Sequence, residues 1–304
     1  MLRVLVTLVA LGLAGCTNTE PSDAISTSPT TADTSATNEI LRRLPPPENP
    51  VAVAVYDFPD QTGQFKFREN VQTLSRAVTQ GASSILIGAL LDAGDGSWFE
   101  VVERNRLDNV LKERQIIREM RVLYGGAANA QGTLLPPMLF AGMLLEGGII
   151  SFDSNTVTGG LGARFLGIGA STEYRQDTAV VYLRAISTQS GKVLKSVVVR
   201  KTIASVGLRG DVFRFVDVDD LLEIEAGFTT NEPTFLALKA AIEKSVIALV
   251  LEGSEGGLWR FADPQAAAPL LARYRDERRA SGVLESYIEE YWPDMEANPE
   301  LASN

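Results

Sequence analysis

The segment SFDSNTVTGGLGARFLGIGASTEYRQD (151–177) limits what this chain can become more than any other stretch. It holds too many glycines and too few large apolar residues for an ordinary core. From Leu166 onward it alternates: Leu166, Ile168, Ala170, Thr172 and Tyr174 fall on one face of a strand, Gly167, Gly169, Ser171, Glu173 and Arg175 on the other. Successive strand side chains point to opposite faces, so one face is apolar and the other wet. About 9–11 tilted residues of that pattern cross a hydrocarbon layer. Gly159-Gly160 and Gly162 would supply the reversal between this arm and the preceding one, Ser151–Thr158.

A second hairpin is read further on. Ala204, Val206 and Leu208 alternate with Ser205, Gly207 and Arg209; after a turn region, GDVFRFVDVDD, Leu222, Ile224, Ala226 and Phe228 alternate with Glu223, Glu225 and Gly227. Phe213 and Phe215, beside the turn, suit an interfacial aromatic girdle. The lipid-facing set is then Leu166, Ile168, Tyr174, Leu222, Ile224 and Phe228, and the lumen-facing set Glu173, Glu223 and Glu225. Rings of carboxylates favour cations. Soluble hairpins with one buried face give the same alternation, and pattern alone does not separate the two.

Composition removes several classes of function. Among 304 residues there is no histidine and one cysteine, and the formal charge is −10. Without histidine, Ser–His–Asp and Cys–His catalysis are excluded, and a lone cysteine forms neither an internal disulfide nor a thiolate cluster. The acidic balance argues against nucleic-acid binding, which needs many cationic phosphate contacts. The glycines of GGLGARFLGIG (159–169) miss the G-x-G-x-x-G spacing, and no lysine-bearing phosphate loop occurs. Carboxylate-only chemistry is left open with little support, and the expectation is a protein that is not an enzyme.

That cysteine closes the leader MLRVLVTLVALGLAGC: a basic Arg3, an apolar run too short to span a bilayer, then Leu13-Ala14-Gly15-Cys16. Small residues before a cysteine resemble the bacterial lipobox, which makes Cys16 the expected lipidated N-terminus, with a covalent lipid such as palmitate. Thr17 in the next position favours the outer membrane of a Gram-negative cell. Several acyl chains anchor stably at about 0.8 kcal/mol per buried methylene. Residues 17–48 are Ser/Thr/Pro/Asp-rich and read as a tether whose end, LRRLPPPENP, lies extended on a surface.

The folded part opens with a buried strand, VAVAVYDF (51–58), followed by a helix over 75–92 and a second strand, SWFEVV. The helix in ERNRLDNVLKERQIIRE is amphipathic, with Leu107, Val110, Leu111, Ile116 and Ile117 expected on its core side. LLPPMLFAGMLLEGGII suggests a short helix leading to a strand, and TAVVYLRAISTQSGKVLKSVVVRKT a hairpin turning near Ser190-Gly191. EPTFLALKAAIEKSVIALVL is a helix that Lys239, Glu243 and Lys244 keep out of the bilayer. At the C-terminus Val283, Leu284, Tyr287, Ile288, Tyr291 and Trp292 recur at helical spacing.

Several motifs occur together and in order: TGQFK (62–66), NVLKERQIIR (109–118), SNTVTGGLGARFLGIGASTEY (154–174), DVFRF (211–215), TTNEP (229–233), GGLW (256–259) and LLARYR (270–275). Together, behind a lipobox-like leader, they resemble the CsgG family of curli secretion lipoproteins. The resemblance implies an α+β periplasmic domain with two projecting β-hairpins that form part of an oligomeric transmembrane β-barrel. About nine copies of four strands would make about 36 strands. It implies export of unfolded amyloid subunits with no nucleotide or metal cofactor, and with periplasmic and surface accessory factors as partners; another adhesin such as a holdfast component, or a scaffold that never perforates the membrane, are the alternative readings. It divides the chain into leader (1–15), lipidated tether (16–48), first periplasmic part (49–150), hairpins (151–177 and 201–230), intervening strands (178–200), helices (231–275) and extension (276–304). The family's constriction loop corresponds to 64–80 here, where its tyrosine falls near Phe67 or Arg68, its Asn-Phe pair on Thr73-Leu74, and Asn70 is another candidate for the asparagine.

Overall fold

The computed structural model describes residues 35–63, 79–124, 135–159, 172–208, 212–217 and 232–280. Eleven elements follow one another: α1 (Ala36–Arg42), β1 (Val51–Val55), α2 (Ala82–Asp92), β2 (Phe99–Glu103), α3 (Leu107–Tyr124), β3 (Met143–Gly159), β4 (Thr172–Ser187), β5 (Val193–Leu208), β6 (Val212–Asp217), α4 (Glu232–Glu255) and α5 (Pro264–Ala280). The six strands form one mixed sheet in the order β2-β1-β3-β4-β5-β6. This is the α+β architecture expected.

The VAVAV run becomes β1 because it lies between two parallel partners, with Val51 opposite Phe99 and Val53 opposite Met143. A strand paired on both sides keeps Val53, Ala54 and Val55 out of water, and an unbroken apolar run suits such a position. β4 shows the other strand grammar. Asp177, Ala179, Val181, Leu183 and Ala185 are buried, and the residues between them are half-buried. Those inward residues meet α4, which packs on β4 and β5 and on α1 and α2. From Ser245 to Gly253 every residue of α4 is buried. A helix apolar nearly all round needs cover on several sides, and α4 has it.

Trp98 anchors the far end of the core, its ring edge-on to Phe261 at 5.1 Å and to Trp259 at 6.1 Å. Its indole N–H donates to the Pro45 carbonyl at 2.8 Å, and that of Trp259 to Val250 at 2.7 Å. The stretch LRRLPPPENP departs from the expectation at its start, where Leu41 and Arg42 are helical in α1 with Leu41 buried; the prolines beyond lie along the body, with Glu48 N–H donating to Arg260 O (2.8 Å) and Ala262 N–H to Pro46 O (2.9 Å).

The antiparallel strands are long. β3 and β4 stay in register from Met143 opposite Ser187 to Gly159 opposite Thr172, with one bulge between Ile149 and Ser151. β4 and β5 pair from Ile186 to Tyr174, turning over residues 188–192 with Gly191 at φ +68°. At about 3.3 Å per residue, the 16 residues of β4 span roughly 50 Å. Phe152, Asp177 and Ile203 are buried, and the backbone pairing of the strands runs on beyond them.

Four expectations are corrected. The helix after β1 begins at Ala82, since residues 79–81 are not helical. Residues 135–142 form no helix before β3, because Pro136-Pro137 bars the turn. DVFRF is not a turn region: Val212–Asp217 is a strand, and Leu208 faces Val212 across residues 209–211. Leu107, Val110, Leu111, Ile116 and Ile117 do not face a core: no residue of α3 is buried among the described residues, and Leu111 is 47% and Ile116 39% exposed.

Candidate functional site

Beyond Phe152, Asp177 and Ile203 the paired backbone continues as β3–β4–β5–β6, because β1 stops at Val55. Glu173 and Tyr174 lie on this extension by backbone register, opposite Thr158 and Val157 of β3, and Tyr174 opposite Val206 of β5. Leu166, Ile168, Leu222, Glu223, Ile224, Glu225 and Phe228 lie outside the described residues, as do Cys16 and the loop residues Phe67, Arg68, Asn70, Thr73 and Leu74. Of that loop only Thr79 and Gln80 are described, and Gly63 just before it.

The loop leaves the body from a built stem. Gln61 N–H donates to Ile149 O at 2.9 Å and Ile149 N–H to Pro59 O at 3.0 Å, a parallel bridge laid on β3 at its bulge. Asp60 Oδ1 accepts from Thr62 N–H (3.0 Å) and the Thr62 hydroxyl (2.7 Å). Its Oδ2 accepts from Gln80 Nε2 at 3.4 Å, from the returning side of the loop. Gln61 Nε2 donates to the Tyr182 hydroxyl at 3.1 Å, and the Arg184 guanidinium lies 5.2 Å from the centre of the Tyr182 ring and 3.4 Å from Glu146. None of these stem residues was singled out from sequence. The signal that could have found them is Gly147-Gly148 in mid-strand, which marks close backbone approach.

Two charged clusters fasten the first and last described helices, α1 and α5, to α4. Glu243, almost wholly buried, accepts from the Ser35 hydroxyl at 2.6 Å and from Asn38 Nδ2 at 3.2 Å. Asn38 Nδ2 also donates to Asp92, which pairs with Arg42 at 2.5 Å. Burial holds the Glu243 carboxyl above the ordinary carboxylate value, with Asp92 adding in the same sense; Ser35, Lys239 and Asn38 oppose the shift. At the other end Glu252 receives the Tyr274 hydroxyl at 2.8 Å, Lys195 at 3.0 Å and Arg278 at 3.4 Å, tying α5 and β5 to α4. Burial first, then Glu252, pushes the Tyr274 phenol up.

No helix among the described residues is long and apolar enough to cross a membrane, which says nothing of strands. No group of three or more potential metal ligands occurs among those residues.

Residues 34–276 match the family model described as curli production assembly/transport component CsgG. The component of that name from Salmonella typhimurium is 39% identical over 286 residues, covering 91% of this chain and 98% of the relative. That from Escherichia coli K12 is 38% identical over 283 residues, covering 90% and 97%. Among solved structures, a PelC dodecamer from Paraburkholderia phytofirmans aligns with 66% of this chain and 90% of its own at a TM-score of 0.25 and 13% identity, a likeness too slight to carry an argument. The identity to the curated relatives runs almost end to end on both sides, and this chain belongs to the CsgG family of curli production assembly/transport components.

Proposed function

We propose that the protein is one subunit of an outer-membrane channel that exports unfolded curli-type amyloid subunits, anchored by lipid on Cys16 and closed from about nine copies into one barrel of about 36 strands. The observation that supports this most is the extension β3–β6. Four contiguous strands pair along this extension, and among the described residues it has β3 on one edge and β6 on the other. In lipid, every unpaired edge group costs several kcal/mol. Pairing β6 of one copy with β3 of the next removes both edges and closes the wall. The bare apolar face of α3 fits the same reading, since a neighbouring copy would cover it.

Segment 64–80 is then the constriction, with Phe67, Arg68, Asn70, Thr73 and Leu74 its candidate ring, and Glu173, Glu223 and Glu225 line the water-filled wall. A narrow ring of apolar and amide groups passes an extended chain and stops a folded one. Passage through it is by diffusion.

The test is reconstitution of detergent-purified protein in planar bilayers, with end-on imaging of the particles. A ring with a central hole and cation-selective current is expected, and the preference weakens in Glu223→Gln/Glu225→Gln. Particles without a hole and without current would leave a non-perforating scaffold; current with no export of amyloid repeats in cells would point to another adhesin as the client.

A further inference from the structure

The described sheet changes width along its length. At the rung made by Glu103, Val55, Leu145, Ala185 and Lys195 it is five strands wide, from β2 to β5; at the rung made by Asn155, Gln176, Ala204 and Val216 it is four, from β3 to β6. At about 4.8 Å per strand, these widths are roughly 24 and 19 Å. The strands β1 and β2 lie beyond β3, on the edge where β6 of a neighbouring copy would pair. That pairing leaves room for one strand between β3 of one copy and β5 of the next. Two strands do not fit such a slot edge to edge, so β2 and the helix that follows it must pass over a face of the neighbour's β4–β5.

The chain itself decides which face. α4 covers the face of β4 and β5 that carries Ala179, Val181, Leu183 and Val197. Alternate residues point the other way. There Tyr182 stands opposite Val198, Val198 is 63% exposed, and Arg200 and Ile150 are exposed as well. The crossover from β1 to β2 carries α2 on the α4 side. The crossover from β2 to β3 runs back across the sheet, and right-handed connections then place it on the opposite face. Ala141, near its end, is buried there with Ala54 and Val102. α3 therefore leaves the body on the same side as Tyr182 and Val198, at the edge that meets a neighbour. Its Ile116, Met120 and Leu123 are exposed at i, i+4 and i+7, on one side of the helix.

We propose that the stripe of Ile116, Met120 and Leu123 on α3 docks on the face of β4–β5 around Tyr182 and Val198 in a second copy of this chain, and that this contact, repeated head to tail, joins the bodies of the ring below the barrel. The inference rests on the reading of β3–β6 as one section of a closed wall. The contact is heterologous: its two surfaces differ and lie toward opposite ends of the sheet order, so each copy offers α3 to one neighbour and its β5 face to the other. Two apolar surfaces that the protomer's own described residues leave bare are covered at once. Edge-to-edge pairing of β2 with the neighbour's β5 would cover neither.

The experiment is disulfide capture in the full-length, detergent-purified oligomer. Val198→Cys is combined in turn with Ile116→Cys, Met120→Cys and Leu123→Cys, oxidised mildly and run on non-reducing gels; the single variants report any contribution of Cys16. A disulfide needs Cα atoms within about 7 Å. At least one pair is therefore expected to give a ladder of covalent multimers, which only links between copies produce. No ladder from any pair, in particles that are rings and carry current, overturns the inference and leaves the barrel standing. Dimers from Ile116→Cys, Met120→Cys or Leu123→Cys alone, with no ladder from the pairs, would set α3 against α3 and overturn it likewise. Wild-type protein that forms no ring overturns the barrel reading and this inference together. Val198→Asp is expected to lower the yield of oligomer several-fold at an unchanged protomer melting temperature, because Val198 is exposed in the protomer. An unchanged yield of oligomer overturns the inference as well.

Discussion

α3 and α4 are both long helices, of 18 and 24 residues, and both carry apolar residues at helical spacing. One has no buried residue, while the other is buried without a break from Ser245 to Gly253. α4 has the sheet beneath it, α1 and α2 beside it, and Trp259 against Gly253, where an added Cβ would stand 2.3 Å from the ring. Among the described residues α3 meets the segment leading into β3, held by Arg114 to the Pro136 carbonyl (2.7 Å), with Arg104 on that of Leu139 (3.1 Å) beside it. The difference teaches that an amphipathic period reports a face in need of cover and is silent about which chain supplies it.

The largest effect expected is in α4. Leu249→Ala leaves a cavity with no solvent path and should cost about 2–5 kcal/mol of protomer stability in chemical denaturation. A loss no greater than that of an exposed leucine would mean that α4 is not the centre of the core. An intermediate effect concerns the docking of α1 on α4. Glu243 has its folded pKa above the ordinary 4.5, so its stabilising contribution is complete below 4.5 and is lost as pH rises through the folded value. Docking of residues 35–43, followed by proteolytic protection, should strengthen as pH falls from neutral, and Glu243→Gln should flatten that dependence. Lys239, Asp92 and Arg42 are the other charged groups around the contact. A profile equally steep in Glu243→Gln would transfer the effect to one of them. The smallest effect on folding belongs to α3: Leu111→Ala and Ile116→Ala should each stay within about 0.5 kcal/mol in the isolated protomer, yet lower the yield of oligomer on size-exclusion chromatography. A large loss in the protomer would show α3 covered by its own chain.

Much of the fold was legible from local pattern. Val51–Val55, the run from Ser245 to Leu251 and the turn at Gly191 each satisfy one rule of periodicity or turn chemistry without competition. What misled was competition between rules. Pro136-Pro137 overrules the apolar spacing that suggested a helix. Val212–Asp217 was hidden because Arg214 and the acidic residues after it resemble turn composition, while strand identity there comes from β5 offering a partner. Of the candidate site, Glu173 and Tyr174 are placed on β4, but the stem was invisible: Asp60, Gln80 and Tyr182 are far apart in the chain, and no spacing rule joins them.

The attachment of α1 has a mechanical consequence. A pull arriving at Ser35 is divided between the Glu243 contacts, the Arg42–Asp92 pair and, further along, the two hydrogen bonds that fasten Pro46 and Glu48 to 260–262. The first lead into α4, the Arg42–Asp92 pair into the end of α2 and the last two into the turn after α4, and none of them into β3–β6. Tension on the segment before Ser35 would therefore be borne by α2 and α4, and β3–β6 would stay slack under it.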